Sequence, residues 1–291
     1  MSKKQKAPRK GRKSTWSEVL HRLSRNKVAM VSLFMIVAII LITVFADFVA
    51  PYSYKAVDMK NQFAMPSLAH PFGTDNFGRD ILSRVIYGGR VSLLVSLLAI
   101  AISTVVGGTL GAVAAYVGGT LENVIMRCLD VLMAIPALLL AISISAALGS
   151  GVVNSAIAIS VAGIPSSARM MRAVVLGIKD QEYVEAARAN GARHPRILLH
   201  EIIPNTLAPI LVDITLRIGA NILQISSLSF IGLGVQPPTP EWGSILAAGR
   251  DYIRDYWPMV VFPGMAIMLT LISFNLFGDG LRDAMDPRMK K

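Results

Sequence analysis

The sequence predicts an all-α integral membrane protein with six transmembrane helices. Three observations lead there. Of 291 residues, 53% are hydrophobic and 16% are charged, with mean hydropathy +0.55, whereas soluble domains carry about 25% charged residues. Six apolar runs are long enough to cross about 30 Å of hydrocarbon. The basic residues cluster at the N-terminus and between those runs, where they set membrane orientation. The net charge of +11 is therefore not read as a nucleic-acid footprint, and no nucleic-acid partner is expected.

Residues 1–27 form a cytoplasmic basic N-terminus with ten Lys/Arg, and the first dozen have the composition of a disordered segment. Thr15 and Glu18 stand at capping-box spacing, and Trp16, Val19, Leu20 and Leu23 recur at helical spacing. That pattern predicts a short amphipathic helix on the inner membrane face, with membrane lipid as its partner. Val28 to Phe45 is an uncharged run within a first transmembrane segment, 28–50. It exceeds a signal-peptide core and lacks a clean cleavage site, so it reads as a retained anchor. Residues 51–90 form a polar extracytoplasmic loop rich in Pro, Gly and Asp. The core, 91–281, holds the remaining spans: Val91–Val117, about Val124–Leu148, Val152–Ala168, about Thr206–Gly234 and Pro258–Phe277. A tail, 282–291, follows. Pro136, Pro165, Pro209 and Pro263 lie within spans, and Gly107 and Gly111 form a small-xxx-small pair. Both features suit close packing and bending.

Six spans put both termini on one side. With the N-terminus inside, 21 of the 29 Lys/Arg fall on inner segments, seven on outer segments, and Arg217 lies within a span. That bias places both termini, and the 169–205 loop, in the cytoplasm.

Within that loop, residues 180–205 predict a short polar helix. Asp180 is a candidate N-cap, Glu182 and Glu185 lie near its positive end, and Gly191 can take the left-handed conformation that ends it. Ala186, Ala187 and Ala189 leave a smooth surface for another backbone, Pro195 opens a new helix, and Pro204 breaks or kinks it. Such a helix reads either as a surface gripped by a partner or as a solvated loop.

Catalytic and cofactor chemistry is not expected. GxxxxGK[ST] is absent, so any ATP-driven work needs another chain. His200-Glu201 begins like a zinc-protease motif, but Pro204 replaces the second histidine, and no metal site is expected. Cys128 is the one cysteine, which excludes an intrachain disulfide. Asp213 and Arg217, at i and i+4 within the fifth span, read as a structural ion pair or as part of a substrate pathway, with Asn221, Gln224 and Asn275 as further lining candidates. Asp75, Arg79 and Asp80 in the outer loop read as a local ion pair or as a contact for a substrate-delivery protein.

Four ordered signatures carry a resemblance. Glu185-Ala186-Ala187, Gly191 and Ile203-Pro204-Asn205 resemble the EAA signature of bacterial ATP-binding-cassette importer permeases. The segments His70 to Arg84, Leu228 to Gly243 and Asn275 to Arg288 resemble the dipeptide/oligopeptide/nickel permeases of the C type. The resemblance runs from about residue 15 to the end. It implies a type I ABC importer permease fold in the cytoplasmic membrane of a bacterium. It also implies a second homologous permease subunit, two cytoplasmic ATPases that use ATP and Mg, and an extracytoplasmic solute-binding protein. The 181–190 helix would be the coupling helix, with Tyr183, Glu185, Ala186, Ala187, Gly191 and Pro204 as its contact and shaping residues. The implied cargo is a di- or oligopeptide, with nickel or another small solute as the alternative. A membrane enzyme or scaffold that needs no ATPase is the competing class.

Overall fold

The computed structural model describes residues 15–285. The disorder reading of the first dozen residues, the Thr15 half of the capping box and the Asp286-Pro287-Arg288 ending lie outside the described residues. Helix α1 (Thr15–Arg25) packs Val19 and Leu23 against Phe277, Leu281 and Ala284 near the chain's end. Asn26 caps the next helix by accepting from the Ala29 N–H at 3.2 Å, and α2 (Lys27–Val44) is the first long apolar helix. After the single turn α3 (Ala46–Val49) the chain is irregular, apart from a 3₁₀ turn at Met59–Asn61, until Asp80.

Helix α4 (Ile81–Val117) begins ten residues before the expected span. Arg84, Tyr87 and Arg90 lower the hydropathy there, but the Asp80 carboxylate accepts from the Ser83 N–H at 2.7 Å and starts the helix. At 37 residues α4 is about 56 Å long, well beyond the hydrocarbon thickness, so its first turns stand outside it. Helices α5 (Gly119–Met133) and α6 (Ala137–Leu148) replace the expected single span at 124–148 and meet at 84°. Pro136 has no N–H to donate and disfavours helical backbone at Ile135, so the helix stops rather than bends. Counted as one broken span, this pair makes six with α2, α4, α7 (Val152–Ile178), the long helix ending at Phe230 and the last helix, Pro258–Met285.

Helix α8 (Glu182–Ala189) is the short polar helix; α9 (His194–Arg196) runs through a π-helical turn, Ile197–Ile202, into α10 (Ile203–Phe230). Pro204 does not break this helix, which passes as one element from His194 to Phe230. The widened turn lies where Pro204 removes the donor of a normal helical bond. A short α11 (Trp242–Gly249) dips back toward the bundle, and α12 (Pro258–Met285) closes it. Among the described residues the chain is helical, with an isolated bridge between Thr74 and Asp80.

The central contact is α4 on α7. A Cβ on Gly107 would stand 2.4 Å from the Ile164 carbonyl oxygen, and one on Gly111 only 2.1 Å from that of Ala168. The small-xxx-small pair thus lets the two backbones touch. Similar close approaches set Gly278 on Leu216, Gly280 on Ala29 and Gly243 on the Ser226 backbone.

Gly111→Val should therefore lower stability by about 2 kcal/mol or more through overpacking, seen as a lower melting temperature and a smaller monodisperse fraction in detergent. Gly108→Ala, whose Cβ would meet only the mobile Met171 methyl at 3.2 Å, should stay within about 0.5 kcal/mol of the parent.

Candidate functional site

The surface at the C-terminal end of α4 is built around α8. Gln181, not Asp180, occupies its N-cap position and offers no side-chain cap, because the chain makes an extra turn off α7 first. The Val184 and Glu185 N–H groups donate to Gln181 O at 2.8 and 3.1 Å, and the Glu182 and Glu185 side chains complement the helix dipole. The C-terminal end closes as expected. Gly191 has φ +77°, its N–H donates to Arg188 O at 3.0 Å, and the Ala192 N–H reaches back to Ala187 O at 3.1 Å.

One side chain fixes this helix to the bundle. Val184 is 0% exposed and packs with Ala112 and Ala115 of α4, Met171 and Val175 of α7, and Ile197 and Ile202 of the π-helical turn. Ala187 packs at the edge of this cluster, while Glu185 and Ala186 face outward with part of Tyr183. Partial burial, and then the nearby Glu201 carboxylate, push the Tyr183 phenol above its ordinary pKa, so it stays a neutral donor. Among the described residues, Glu182, Glu185, Arg188, Arg193 and Arg196 form no ion pair. Pro204 is exposed just beyond the π-helical turn. Around the clamp, Lys179 Nζ donates to Ala115 O at 3.1 Å at the end of α4, and Tyr116 Oη lies 2.9 Å from His194 Nδ1. Arg172 pairs with Glu122 and Arg169 with Asp130, both at 2.6 Å, tying α7 to α5. The outward face of α8 is thus polar, smooth and uncommitted, on a helix whose other side is anchored in the core.

A second cluster lies deeper. Arg217 Nη1 is 3.4 Å from Asp213 Oδ2, confirming the i, i+4 pairing. Arg217 also donates to Ser167, to Ser103 Oγ at 3.1 Å and to Gly163 O at 3.3 Å, joining α10 to α4 and α7. These bonds give the pair a structural role, and both side chains also keep partial exposure, 17% for Arg217 and 29% for Asp213. A charged group inside a bundle is tolerable when its donors are met this way. Asn221 is buried in the chain, which removes it from the expected pathway lining, whereas Asp213, Gln224 and Asn275 keep partial exposure. Asn275 lies between the two points where α12 approaches α10 closely, Gly278 on Leu216 and Leu271 on Gly219.

The outer loop is organised by its own acids. The Asp75 side chain is 3% exposed and accepts from the Phe77 and Arg79 N–H groups at 2.8 and 2.9 Å and from Arg79 Nε at 2.7 Å, with Arg84 Nε at 3.6 Å. The Asp80 side chain, 1% exposed, caps α4 and lies 3.0 Å from His70 Nδ1. Both carboxylates, and Arg79 with them, are committed to this network. Of the two readings of these residues, the local ion pair is the one this geometry displays. Tyr256 bridges the loop to α12, accepting from the Thr74 N–H at 3.1 Å and donating to Ala64 O.

Sequence reasoning missed Glu241. Its carboxylate is fully buried and accepts from the Ser244 N–H at 2.9 Å, Ser92 Oγ at 2.9 Å and Ser226 Oγ at 3.2 Å, so it joins α4, α10 and α11. Trp242 Nε1 donates to Val85 O at 2.8 Å beside it. The Glu241–Ser244 spacing is a reciprocal cap that was visible in the sequence; the partner Ser92, 149 residues away, was not.

Known proteins resemble this chain over nearly its whole length. The family model described as binding-protein-dependent transport system inner membrane component matches residues 107–291, and that described as the N-terminal TM domain of oligopeptide transport permease C matches residues 14–71. The chain is 44% identical over 277 residues to the dipeptide transport system permease protein DppC of Alkalihalophilus pseudofirmus, covering 95% of this chain and 91% of that protein. It is 44% identical over 279 residues to the glutathione transport system permease protein GsiD of Escherichia coli O157:H7, covering 96% and 92%.

Glu241→Leu should strand two buried hydroxyls and an N–H, costing about 3 kcal/mol, while Glu241→Gln, which keeps one acceptor oxygen, should cost less than half of that. Thermal unfolding of the purified chain checks the order; equal melting temperatures for parent and Glu241→Leu would contradict it.

Proposed function

We propose, from the premise that this chain belongs to the family of binding-protein-dependent transport system inner membrane components, that it is the permease subunit of an ATP-binding-cassette importer whose cargo is a short peptide. It is a transport component of the inner membrane, crossing it several times, and not an enzyme. The cargo assignment is supported by the dipeptide and glutathione permeases it resembles, since both names denote short peptides.

The observation that carries the mechanism is the two-sided character of α8: Val184 locked into the ends of α4 and α7, with Tyr183, Glu185 and Ala186 turned outward. In this reading 169–205 is the cytoplasmic coupling loop, both termini are cytoplasmic, and 51–90 faces the solute-binding protein. Each of two ATPase subunits receives a coupling helix, one from this chain and one from a second homologous permease. ATP and Mg belong to those partners. Closure of the ATPases moves α8, and the anchored face passes that motion to α4 and α7. The bundle then alternates between inward- and outward-open states, the physical requirement being two states with different affinities for the ATP-bound partner. Asp213, Gln224 and Asn275, which keep partial exposure, border the route of the cargo; the amides of Gln224 and Asn275 suit a peptide backbone, and the Asp213 carboxylate suits its donors.

Uptake of labelled dipeptides, glutathione and nickel by the reconstituted complex tests the assignment. Saturable, ATP-dependent peptide uptake is expected, and uptake of nickel alone would overturn the cargo reading. For the lever, Gly191→Val should cut uptake several-fold while ATP hydrolysis persists. A Cβ there meets nothing within 4 Å, so the penalty, about 1–2 kcal/mol, lies in the backbone conformation. Gly191→Asn, which tolerates that conformation, should transport nearly normally.

A further inference from the structure

One face of α10 carries a polar stripe. Asp213, Arg217, Ala220, Gln224 and Ser227 fall within about 40° of one line along the helix. Ala220 is exposed and the other four keep partial exposure, so the rest of this chain does not cover the stripe. A face with an ion pair and an amide does not turn to lipid; inside a membrane such groups face the bundle interior or a water-filled route.

The charged half of the stripe lies at mid-depth. Arg217 donates to Gly163 O and to Ser167, which bracket Pro165 at the midpoint of α7. The two members of the pair are unequally committed there. Arg217 is 17% exposed and also donates to Ser103 Oγ at 3.1 Å. Gly163 makes room for its head, since a Cβ at 163 would stand 2.7 Å from Nη2. The three acceptors from α4 and α7 are neutral, so they fix the guanidinium in place without cancelling its charge. Asp213 is 29% exposed. Its Oδ2 meets Arg217 Nη1 at 3.4 Å, longer than a good charge-assisted bond, and its Oδ1 makes no hydrogen bond among the described residues. An anchored cation therefore holds an acid that has acceptor capacity to spare.

We infer that Asp213 binds the protonated amino group of the cargo through Oδ1, while Arg217 retains Oδ2. The inference rests on the peptide-importer reading above and names the part of the cargo that this chain recognises: a primary ammonium, from the amino terminus or from a lysine side chain. The opposite pairing, a cargo carboxylate on Arg217, is disfavoured because Arg217 is the less exposed member and shares its donors among four acceptors. Three N–H donors on an ammonium match an acid with a free oxygen.

The test uses the assembled transporter in nanodiscs without its solute-binding protein, so that delivery does not select the ligand. Saturation-transfer NMR titrations give dissociation constants for Ala-Ala, N-acetyl-Ala-Ala and N-acetyl-Ala-Lys. Ala-Ala should bind about tenfold more tightly than N-acetyl-Ala-Ala, the worth of one charge-assisted hydrogen bond. Asp213→Asn keeps an oxygen for Arg217 but no charge, and should erase that ratio by weakening Ala-Ala alone; Asp213→Glu should restore part of it. Thr215→Val, on the opposite face of α10, should leave the ratio as in the parent. N-acetyl-Ala-Lys separates the two sources: it binds like Ala-Ala where any ammonium serves, and like N-acetyl-Ala-Ala where the amino terminus is required, and either result supports the site once the first ratio holds. Equal affinities of Ala-Ala and N-acetyl-Ala-Ala for the parent, or a ratio that survives Asp213→Asn, would overturn it. So would the absence of any Ala-Ala signal, the result expected if a helix of the second permease seals this face. ATP-dependent uptake of Ala-Ala by the parent complex with its binding protein is measured alongside. Failure of that uptake withdraws the peptide reading itself, whereas uptake without the amino-group preference withdraws this subsite alone.

Discussion

The close approach of α4 to α7 at Gly107 and Gly111 is the constraint on which the other contacts depend. Gly107 and Gly111 bring the α4 backbone against Ile164 and Ala168 of α7. Two helices in such contact cannot slide without collision, so they behave as one body. Three assemblies hang from it at different depths. At the inner end Ala112, Ala115, Met171 and Val175 receive Val184 of α8. Midway, Ser103 and Ser167 receive Arg217 of α10. Toward the outer end, Ser92 binds Glu241 and so fixes α11. In the proposed mechanism, a displacement imposed on α8 is carried along this pair.

The places able to yield lie elsewhere. The 84° break between α5 and α6 has no helical ladder across it, and the π-helical turn before Pro204 has a widened one. Both are local departures of the sort that concentrate at moving sites. The ion pairs Arg169–Asp130 and Arg172–Glu122 link α7 to α5 on one side of the break, and on the other Ala141 of α6 shares a buried cluster with Ala156, Ala158 and Ile159 of α7.

Much of this was legible in the sequence, and the failures have physical causes. Gly191 was readable because a left-handed helix end favours glycine, and it sits at φ +77°. Gly107 and Gly111 announced a close contact but not its partner, which only the fold selects. Asp213 and Arg217 showed their pairing through spacing; the larger share of Arg217's hydrogen bonds goes to helices 50 and 114 residues away, beyond any local pattern. The outer loop misled for the opposite reason. A cluster of charges looks like a surface, yet Asp75 and Asp80 are buried because turn N–H groups and Arg79 satisfy them. Hydropathy hid the first ten residues of α4, since Arg84 and Arg90 lie in a part of the helix that stands outside the hydrocarbon. Pro136 signalled a bend, and the structure makes it a break.

The account rests on α8, α4 and α7 moving together, and pairwise spin-label distances test that most directly. In a Cys128→Ser background, labels at Arg188→Cys on α8 and Thr109→Cys on α4 report the lever against its anchor; Arg188→Cys with Leu139→Cys on α6 reports it against the far side of the break. Between nucleotide-free and ATP-trapped states of the reconstituted complex, the first distance should hold within about 2 Å while the second shifts by more than that. A first distance that changes as much as the second would show that α8 slides on the bundle instead of carrying it, and the proposed transmission would be wrong.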